Sequence, residues 1–455
     1  MNRRRFLKII AGGAAVMALP GCATGRSKSA RAKLPNIIYI MADDMGYADL
    51  GCYGQKRIKT PNIDKLAEEG TRFTQCYTGS TVCAPSRSVL MTGQHTGHTR
   101  VRGNSGIVGG VGSRKRVPLQ DQDFTVAELL KKAGYATGIT GKWGLAEPET
   151  AGVPTRQGFD EWFGYLNQQH AHSYYPPHLW KNEEKFILEG NQDGGRKQYS
   201  HDLMTEFALD FLRRHKAGPF FLYLPYTIPH AKYEIPSTDP YTDESWPEDA
   251  KVYAAMITRL DGDVGRIMAL LKDVSIDAET LVFFCSDNGA AQRWDGIFDS
   301  SGPLRGQKRD MYEGGIRTPM IVRWPGKVQA GKIDRTAVWC FADFLPTMAD
   351  LVGAELPDNI DGISVLPTII GKKQRTDDRF LYWEFFESGF NQAVRWRNYK
   401  AVRLGVGKPI ELYDLDKDPA ETTDIAGQTP KVVERIENYL KTARTDSENW
   451  PVAHQ

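Results

Sequence analysis

Two pairs of oxygen-bearing side chains each follow an apolar segment that is typical of a buried β-strand. Asp43 and Asp44 directly follow the first segment, and Asp287 and Asn288 follow a later one. Because ligands of open α/β sheets collect beyond the carboxyl ends of the strands, we expect these four side chains to meet at one edge. Crowded carboxylates repel each other, and ligation by oxygen alone favours Ca2+ over zinc. The pattern predicts a calcium site, although a single Asp-Asp pair is also typical of turns and helix caps.

A cysteine motif lies between the two pairs. The sequence reads Cys83-Ala84-Pro85-Ser86-Arg87 and continues through an apolar turn to Thr92-Gly93. It resembles the Cys-x-Pro-Ser-Arg signature of type I sulfatases, of the alkaline phosphatase-like superfamily, in which the cysteine is oxidised to formylglycine. The resemblance implies that Cys83 is both the nucleophile and a metal ligand, beside the four oxygen ligands named above. Without the resemblance, a cysteine here is a small buried hydrophobe.

The resemblance also implies how sulfate is bound and expelled. A hydrated aldehyde has two hydroxyls, of which one attacks sulfur and the other collapses to release sulfate and regenerate the aldehyde. Arg87 lies one helical turn beyond Cys83, on a helix that Pro85 is suited to begin, and is expected to steady the attacking oxygen. Lys142 and Lys308 match the two sulfate-binding lysines of the family, which would stabilise the developing charge. Taken alone, each lysine is a solvated surface charge.

Histidines are the candidates for proton transfer near neutral pH. His230, in Thr227-Ile228-Pro229-His230, matches the general acid of the family. The chain departs from its relatives at Gly144, where many sulfatases have a histidine in the sequence Gly-Lys-Trp-His. We expect His172 to take over the orientation of the formylglycine diol, with His170 as the second choice. The alternative for either residue is a core or surface histidine without a catalytic role.

The resemblance identifies a sulfuric ester hydrolase, for which a sulfated carbohydrate is the expected substrate. The aromatic and polar stretch 165–180 is expected to stack on a pyranose ring. Arg100, Arg102 and Asn104 are expected either to line the sugar pocket or to form a solvated basic loop. Two alternatives stay open. One is a phosphonate or phosphate monoester hydrolase of the same superfamily, and the other is a non-catalytic glycan-binding lipoprotein whose cysteine stays unmodified.

Strand-like and helical segments alternate up to residue 323, which favours an α/β fold with a mostly parallel central sheet sandwiched by helices. After residue 371 the pattern changes to strands joined by polar turns over residues 380–385, 392–404 and 411–415, which indicates antiparallel pairing. An amphipathic helix is predicted over residues 429–445. We therefore predict a catalytic domain over residues 34–371 and a smaller C-terminal antiparallel-sheet-plus-helix subdomain over residues 372–455.

Residues 1–33 predict an export signal and a tether. Arg3-Arg4-Arg5-Phe6-Leu7-Lys8 precedes a short apolar run and resembles a twin-arginine signal. Leu19-Pro20-Gly21-Cys22 resembles a lipobox, in which Cys22 would carry a lipid anchor, and a plain cleavable signal is the alternative. We expect an exported protein, periplasmic or at the cell surface, that is matured by a formylglycine-generating or sulfatase-maturing enzyme. The formal net charge of +2 gives no support to a nucleic-acid partner.

Overall fold

The computed structural model of the chain describes residues 34–452. The predicted twin-arginine signal, the lipobox with Cys22 and the tether lie outside the described residues. Among the helices that the structure describes, none has the length and apolar character needed to cross a membrane. Residues 35–452 lie in one compact unit, so the boundary proposed at residue 371 stays a prediction.

A large, mostly parallel sheet forms the centre of the molecule, as the sequence predicts. Its strand order is β10-β2-β9-β8-β1-β7-β3-β4-β5-β6, and β11 pairs with β2. The five central strands, β8-β1-β7-β3-β4, are parallel to one another. Strand β9 is antiparallel to both of its neighbours, β8 and β2. The strands of this sheet are β1 (Asn36–Ala42), β2 (Thr71–Tyr77), β3 (Ala136–Lys142), β4 (Glu161–Tyr165), β5 (His178–Lys181), β6 (Glu184–Ile187), β7 (Phe220–Pro225), β8 (Thr280–Ser286), β9 (Arg317–Arg323), β10 (Lys332–Asp334) and β11 (Trp339–Cys340).

Helices cover both faces of this sheet because its central strand is apolar on both sides. Alternate residues of β1, such as Ile38 and Ile40, pack in a core with α1, α4 and α5. The Tyr39 ring points to the other face, where it lies 4.6 Å from the Phe344 ring of α7. The helices are α1 (Pro61–Glu68), α2 (Cys83–Thr92), α3 (Val126–Lys132), α4 (Ser200–His215), α5 (Glu248–Asp273), α6 (Glu313–Ile316), α7 (Phe344–Val352), α8 (Leu366–Ile369) and α9 (Pro430–Leu440).

A second, four-stranded sheet follows and is antiparallel, as predicted. It contains β12 (Phe380–Phe385), β13 (Asn391–Trp396), β14 (Tyr399–Leu404) and β15 (Glu411–Asp414) in that order. The segment expected to be one strand over residues 392–404 is instead the hairpin β13–β14, because Arg397 takes a left-handed conformation (φ +55°) at the turn. Helix α9 packs on this sheet through Ile436 and Leu440.

Buried ion pairs connect the second sheet to the segment that carries Lys308. Lys400 of β14 donates at 3.2 Å to both Glu313 of α6 and Glu421. Arg305 donates to the Tyr413 hydroxyl at 3.0 Å and to the Glu421 carbonyl at 2.9 Å. Since an unpaired buried charge is costly, these contacts hold residues 305–313 against the second sheet.

Candidate active site

The four predicted oxygen ligands meet at the carboxyl edge of the central sheet. Strands β1 and β8 are parallel neighbours with Ala42 opposite Ser286, so the residues that follow each strand arrive side by side. Asn288 donates from Nδ2 to Asp44 Oδ1 at 2.7 Å, and the Asp44 amide donates to Asp287 Oδ1 at 3.2 Å. Asp43 and the other three are at most 1% exposed. The structure thus brings together all four residues.

Cys83 lies in the first turn of α2, next to both predicted lysines. Its Sγ lies 3.3 Å from Lys142 Nζ and 3.9 Å from Lys308 Nζ, and the residue is 2% exposed. The helix begins at Cys83 itself, two residues before the proline that was expected to start it. Burial raises the pKa of the thiol, although the two ammonium groups oppose this effect. The N-terminal end of a helix attracts negative charge, which suits a site for an anion.

Three cations neutralise the buried acids. Lys142 donates to Asp43 Oδ2 at 2.6 Å, and Lys308 donates to Asp44 Oδ2 at 2.7 Å. Burial raises the pKa of Asp43, but the charges of Lys142, His230 and Arg87 outweigh it and hold the pKa below its usual range. Burial raises the pKa of Asp44, but the charges of Lys308, His230 and Lys142 together outweigh it and lower the pKa.

Arg87 binds the acids rather than the cysteine. Its guanidinium donates to Asp287 Oδ2 at 2.8 and 3.1 Å, lies 3.3 Å from Asp43 Oδ2 and also donates to the Lys142 carbonyl. Even so, burial and the neighbouring Asp43 raise the pKa of Asp287 to about 6. The arginine therefore orients the groups around Cys83.

Two oxygens of this cluster have no hydrogen-bond partner in the described part of the chain. They are Asp43 Oδ1 and Asn288 Oδ1, both buried. Ligand atoms of Asp43, Asp44, Cys83 and His230 all lie within 4.8 Å of one another. Because buried polar atoms are normally satisfied, the two orphaned oxygens fit a hard cation that binds through oxygen.

His230 and His172 stack over the cluster, whereas His170 does not reach it. His230 Nε2 lies 3.4 Å from Asp44 Oδ2, and the rings of His230 and His172 stack with their centroids 5.1 Å apart. Burial lowers the pKa of His230 to about 4. His172 is exposed to solvent above this site. His170 instead hydrogen-bonds the His178 carbonyl at 2.8 Å and stacks on the His178 ring.

The residues expected to contact a sugar have other roles in part. Arg102 is 2% exposed and binds Glu384 at 3.0 Å, and Arg100 forms an ion pair with Asp123. The two arginines line a cleft whose lining includes Thr92 at the end of α2 but not Cys83 or the buried acids, and their role in a sugar pocket stays a prediction. Asn104 does reach the site, because its Oδ1 accepts a hydrogen bond from the Ala84 amide at 3.1 Å.

Two tyrosines of the stretch 165–180 are buried and are not available to stack on a sugar, whereas Tyr175 and Trp180 of the same stretch are partly exposed. Tyr165 and Tyr174 are fully buried. The Tyr174 hydroxyl contacts the carbonyls of Thr227 and His230 at 2.7 and 2.8 Å, so it positions the loop that carries His230. The mixed aromatic and polar composition of the stretch suggested exposure, but the tertiary structure covers these two rings.

The space beside Gly144, where many relatives have a histidine, is filled by Gln168. Gln168 is 5% exposed and donates from Nε2 to the Gly144 carbonyl at 2.8 Å. A Cβ at position 144 would lie 2.8 Å from that nitrogen, and Gly144 has a φ of +82°. Gln168 accepts in turn from Arg116, a residue that no sequence motif singled out. The departure at Gly144 was the one signal in the sequence that pointed to this region.

Comparison with known proteins decides the family. The family model described as Sulfatase matches residues 35–354, and the model described as N-sulphoglucosamine sulphohydrolase, C-terminal, matches residues 306–446. The chain belongs to the sulfatase family. This sulfatase is 32% identical to arylsulfatase A from Homo sapiens, over 91% of this chain and 89% of the human protein. It is 29% identical to N-acetylgalactosamine-6-O-sulfatase from Bacteroides thetaiotaomicron, over 98% of this chain and 99% of that protein.

Solved structures agree with this assignment. The crystal structure of Ps i-CgsB in complex with k-i-k-neocarrahexaose matches with a TM-score of 0.80 and 29% identity, over 92% of this chain and 95% of that chain. The sulfatase is therefore a sulfuric ester hydrolase with the mixed α/β fold of its relatives. Sulfatases generally use a formylglycine and a divalent metal, and the cluster of Asp and Cys side chains described above suits both.

Substituting Gly144 tests how tightly Gln168 packs beside the turn that follows Lys142 at the end of β3. We expect Gly144→Ala to lower the free energy of unfolding by about 1–2 kcal/mol for the left-handed backbone, and by about 1–3 kcal/mol more for the displaced Gln168. Gly296→Ala is the matched control, because Gly296 has a φ of +75° and no atom lies within 4 Å of the position that a Cβ would take there. Urea unfolding of both variants measures the difference. Equal losses would show that Gln168 does not fill this space tightly.

Proposed function

We propose that this sulfatase removes sulfate from a sulfated carbohydrate, through a formylglycine formed from Cys83 beside a bound calcium ion. The observation that carries the proposal is the position of Cys83, whose Sγ lies 3.3 Å from Lys142 Nζ, 3.9 Å from Lys308 Nζ and within 4.8 Å of ligand atoms of Asp43 and Asp44. The names of the relatives support the carbohydrate. One is an N-acetylgalactosamine-6-O-sulfatase, and another was crystallised with a neocarrahexaose.

The nucleophile in this proposal is the hydrated aldehyde at position 83. One hydroxyl attacks the sulfur and the ester oxygen leaves; loss of a proton from the other hydroxyl then expels sulfate and restores the aldehyde. Neither serine nor cysteine can release sulfate in this way. His172 lies on the solvent side of His230 and is proposed to orient the diol. Arg87 holds the acids and the Lys142 carbonyl in place around it.

The calcium ion would be held by Asp43, Asp44, Asp287 and Asn288 together with the side chain at position 83. Such an ion lowers the proton affinity of a nearby oxygen nucleophile and offsets the charge of the buried acids. The two oxygens without a hydrogen-bond partner support this role.

The remaining polar groups are proposed to bind the sulfate and protonate the leaving group. Lys142 at the end of β3 and Lys308 in a loop both approach the side chain at position 83. Their fixed charges stabilise the sulfate oxygens that gain negative charge as the ester bond breaks. The Nδ1 of His230 contacts the Ala231 carbonyl, which can only accept, so Nδ1 carries a proton. Nε2, which lies 3.4 Å from Asp44 Oδ2, is proposed to deliver a proton to the leaving oxygen from the doubly protonated ring. The negative charges of Asp44, Asp43 and the bound ester favour that form against the effect of burial.

Maturation and export complete the proposal. A formylglycine-generating or sulfatase-maturing enzyme must oxidise Cys83 before the chain can act. The twin-arginine resemblance supports export to the periplasm or the cell surface, with lipidation of Cys22 or simple signal cleavage as the two routes.

Mass spectrometry of the peptide that contains Cys83 tests the nucleophile. We expect the mass of formylglycine in protein produced with a maturing enzyme, together with sulfate release from sulfated saccharides. Cys83→Ala should reduce this turnover to background, because no aldehyde can form. Phosphate monoesters assayed in parallel should be hydrolysed at least about tenfold less efficiently. An unmodified cysteine in an active protein, or a preference for phosphate, would contradict the proposal.

The two neighbouring histidines make a matched pair of variants. We expect His172→Ala to lower kcat by about 10²-fold or more, because the diol loses its orienting group. His170→Ala should cost less than about tenfold, since His170 faces His178. Steady-state kinetics on protein of equal formylglycine content measures both effects. Unchanged turnover in His172→Ala would remove His172 from the mechanism.

Removal of calcium tests the metal site. We expect the melting temperature of chelator-treated protein to rise when Ca2+ is added, by the equivalent of about 2.7 kcal/mol when free Ca2+ is about 100-fold above Kd. Asp43→Asn should largely lose this shift. Asp261→Asn is the control, because Asp261 is a buried acid of α5 that binds Asn62 of α1 and is not part of the cluster around Cys83. A shift that survives in Asp43→Asn would place the ion elsewhere.

A further inference from the structure

The guanidinium of Arg116 is held from three sides at the rim of the active site. Nε forms an ion pair with Glu147 Oε1 at 2.9 Å, and the side chain is 11% exposed. One terminal nitrogen donates to the Asn104 carbonyl at 3.3 Å and to Gln168 Oε1. These partners come from three separate stretches of chain, so the orientation of the guanidinium is defined before any ligand binds.

Two of these partners connect Arg116 to the catalytic elements. Asn104 accepts from the amide of Ala84, the residue after the nucleophile. Gln168 donates to the carbonyl of Gly144, two residues after Lys142. Arg116 is therefore anchored both to the helix that begins at the nucleophile and to the turn that follows the lysine strand.

One edge of this guanidinium donates no hydrogen bond. Its second terminal nitrogen, Nη2, has no hydrogen-bond acceptor among residues 34–452, and the shortest contact of the ion pair with Glu147 is made by Nε. Arg116 is also absent from the contacts of the buried acids, whose charge is met by Arg87, Lys142 and Lys308. Its free edge is thus available to a ligand that extends beyond the reacting sulfate.

We propose that Arg116 forms a second anion subsite, which binds a carboxylate or a further sulfate on the saccharide that carries the reacting ester. The inference rests on the proposed function. An arginine suits this task because its planar donors match carboxylate and sulfate oxygens, and because Gln168 and Asn104 already orient it. Glu147 offsets part of the positive charge, so the subsite selects an anion by position as well as by charge.

Kinetics on matched pairs of saccharides test the subsite. Each pair contains a monosulfated saccharide and a partner with one more anion: N-acetylgalactosamine 6-sulfate and its 4,6-disulfate, glucosamine 6-sulfate and its 2-N,6-O-disulfate, and N-acetylgalactosamine 6-sulfate and its disaccharide with a uronic acid. For at least one pair, we expect the kcat/KM of the wild type on the dianionic partner to be at least about tenfold higher than on the monosulfated saccharide. The pair that shows this preference identifies whether Arg116 binds a second sulfate or a carboxylate.

Variants of the loop then assign the preference to Arg116. In Arg116→Gln the ratio of kcat/KM within the preferred pair should fall to about 1, mainly through KM, and Arg116→Lys should retain part of it. Arg114→Gln is the matched control, because Arg114 is exposed two residues earlier on the same loop, and it should keep the wild-type ratio. Formylglycine content and circular dichroism verify that each variant is matured and folded.

Some other outcomes would contradict the proposed subsite, and others would contradict the proposed carbohydrate substrate. A wild type without preference in any pair contradicts the subsite, and so does an Arg116→Gln variant that keeps the wild-type ratio. An equal loss on both members of a pair would mean that Arg116 acts on the shared sulfate site instead. If the wild type hydrolyses none of the saccharides while Cys83 is fully converted, the proposed carbohydrate substrate fails, and the subsite fails with it.

Discussion

The burial of three carboxylates at one edge of the central sheet is the constraint on which the rest of the site depends. Asp43, Asp44 and Asp287 are each at most 1% exposed and lie together beyond β1 and β8. Uncompensated charges cannot be buried without a cost of several kcal/mol each. Arg87, Lys142 and Lys308 therefore each form an ion pair with at least one of these acids. The same balance leaves two oxygens without partners, which the proposed metal ion would bind.

The fold meets this constraint by bringing cations from distant parts of the chain. Lys142 is 99 positions from Asp43, and Lys308 is 264 positions from Asp44. Parallel strands end at one edge, which delivers Lys142 from the end of β3. Lys308 has no strand to carry it, and residues 305–313 are instead held by the buried ion pair of Lys400 with Glu313 and by the hydrogen bond of Arg305 to Tyr413. The second sheet thus contributes to the site without touching the nucleophile.

The rim of the site differs from its centre in how it is built. At the centre, the buried acids pair with neighbouring groups of opposite charge. At the rim, Gln168 fills the space beside Gly144 and at the same time orients Arg116.

Sequence alone determined the fold class, the apolar strands β1 and β8, and the residues that meet at their ends, because apolar periodicity and short motifs are local properties. It also identified the cysteine motif and the two lysines through their flanking residues. It did not reveal β2, β4, β5 and β6, nor the split of residues 392–404, because short strands of mixed polarity gain their stability from neighbours distant in sequence. Only the tertiary structure showed that His172 stacks on His230 whereas His170 does not, that Arg102 forms an ion pair with Glu384, and that Arg116 lies at the rim of the site. These outcomes depend on which loops pack together.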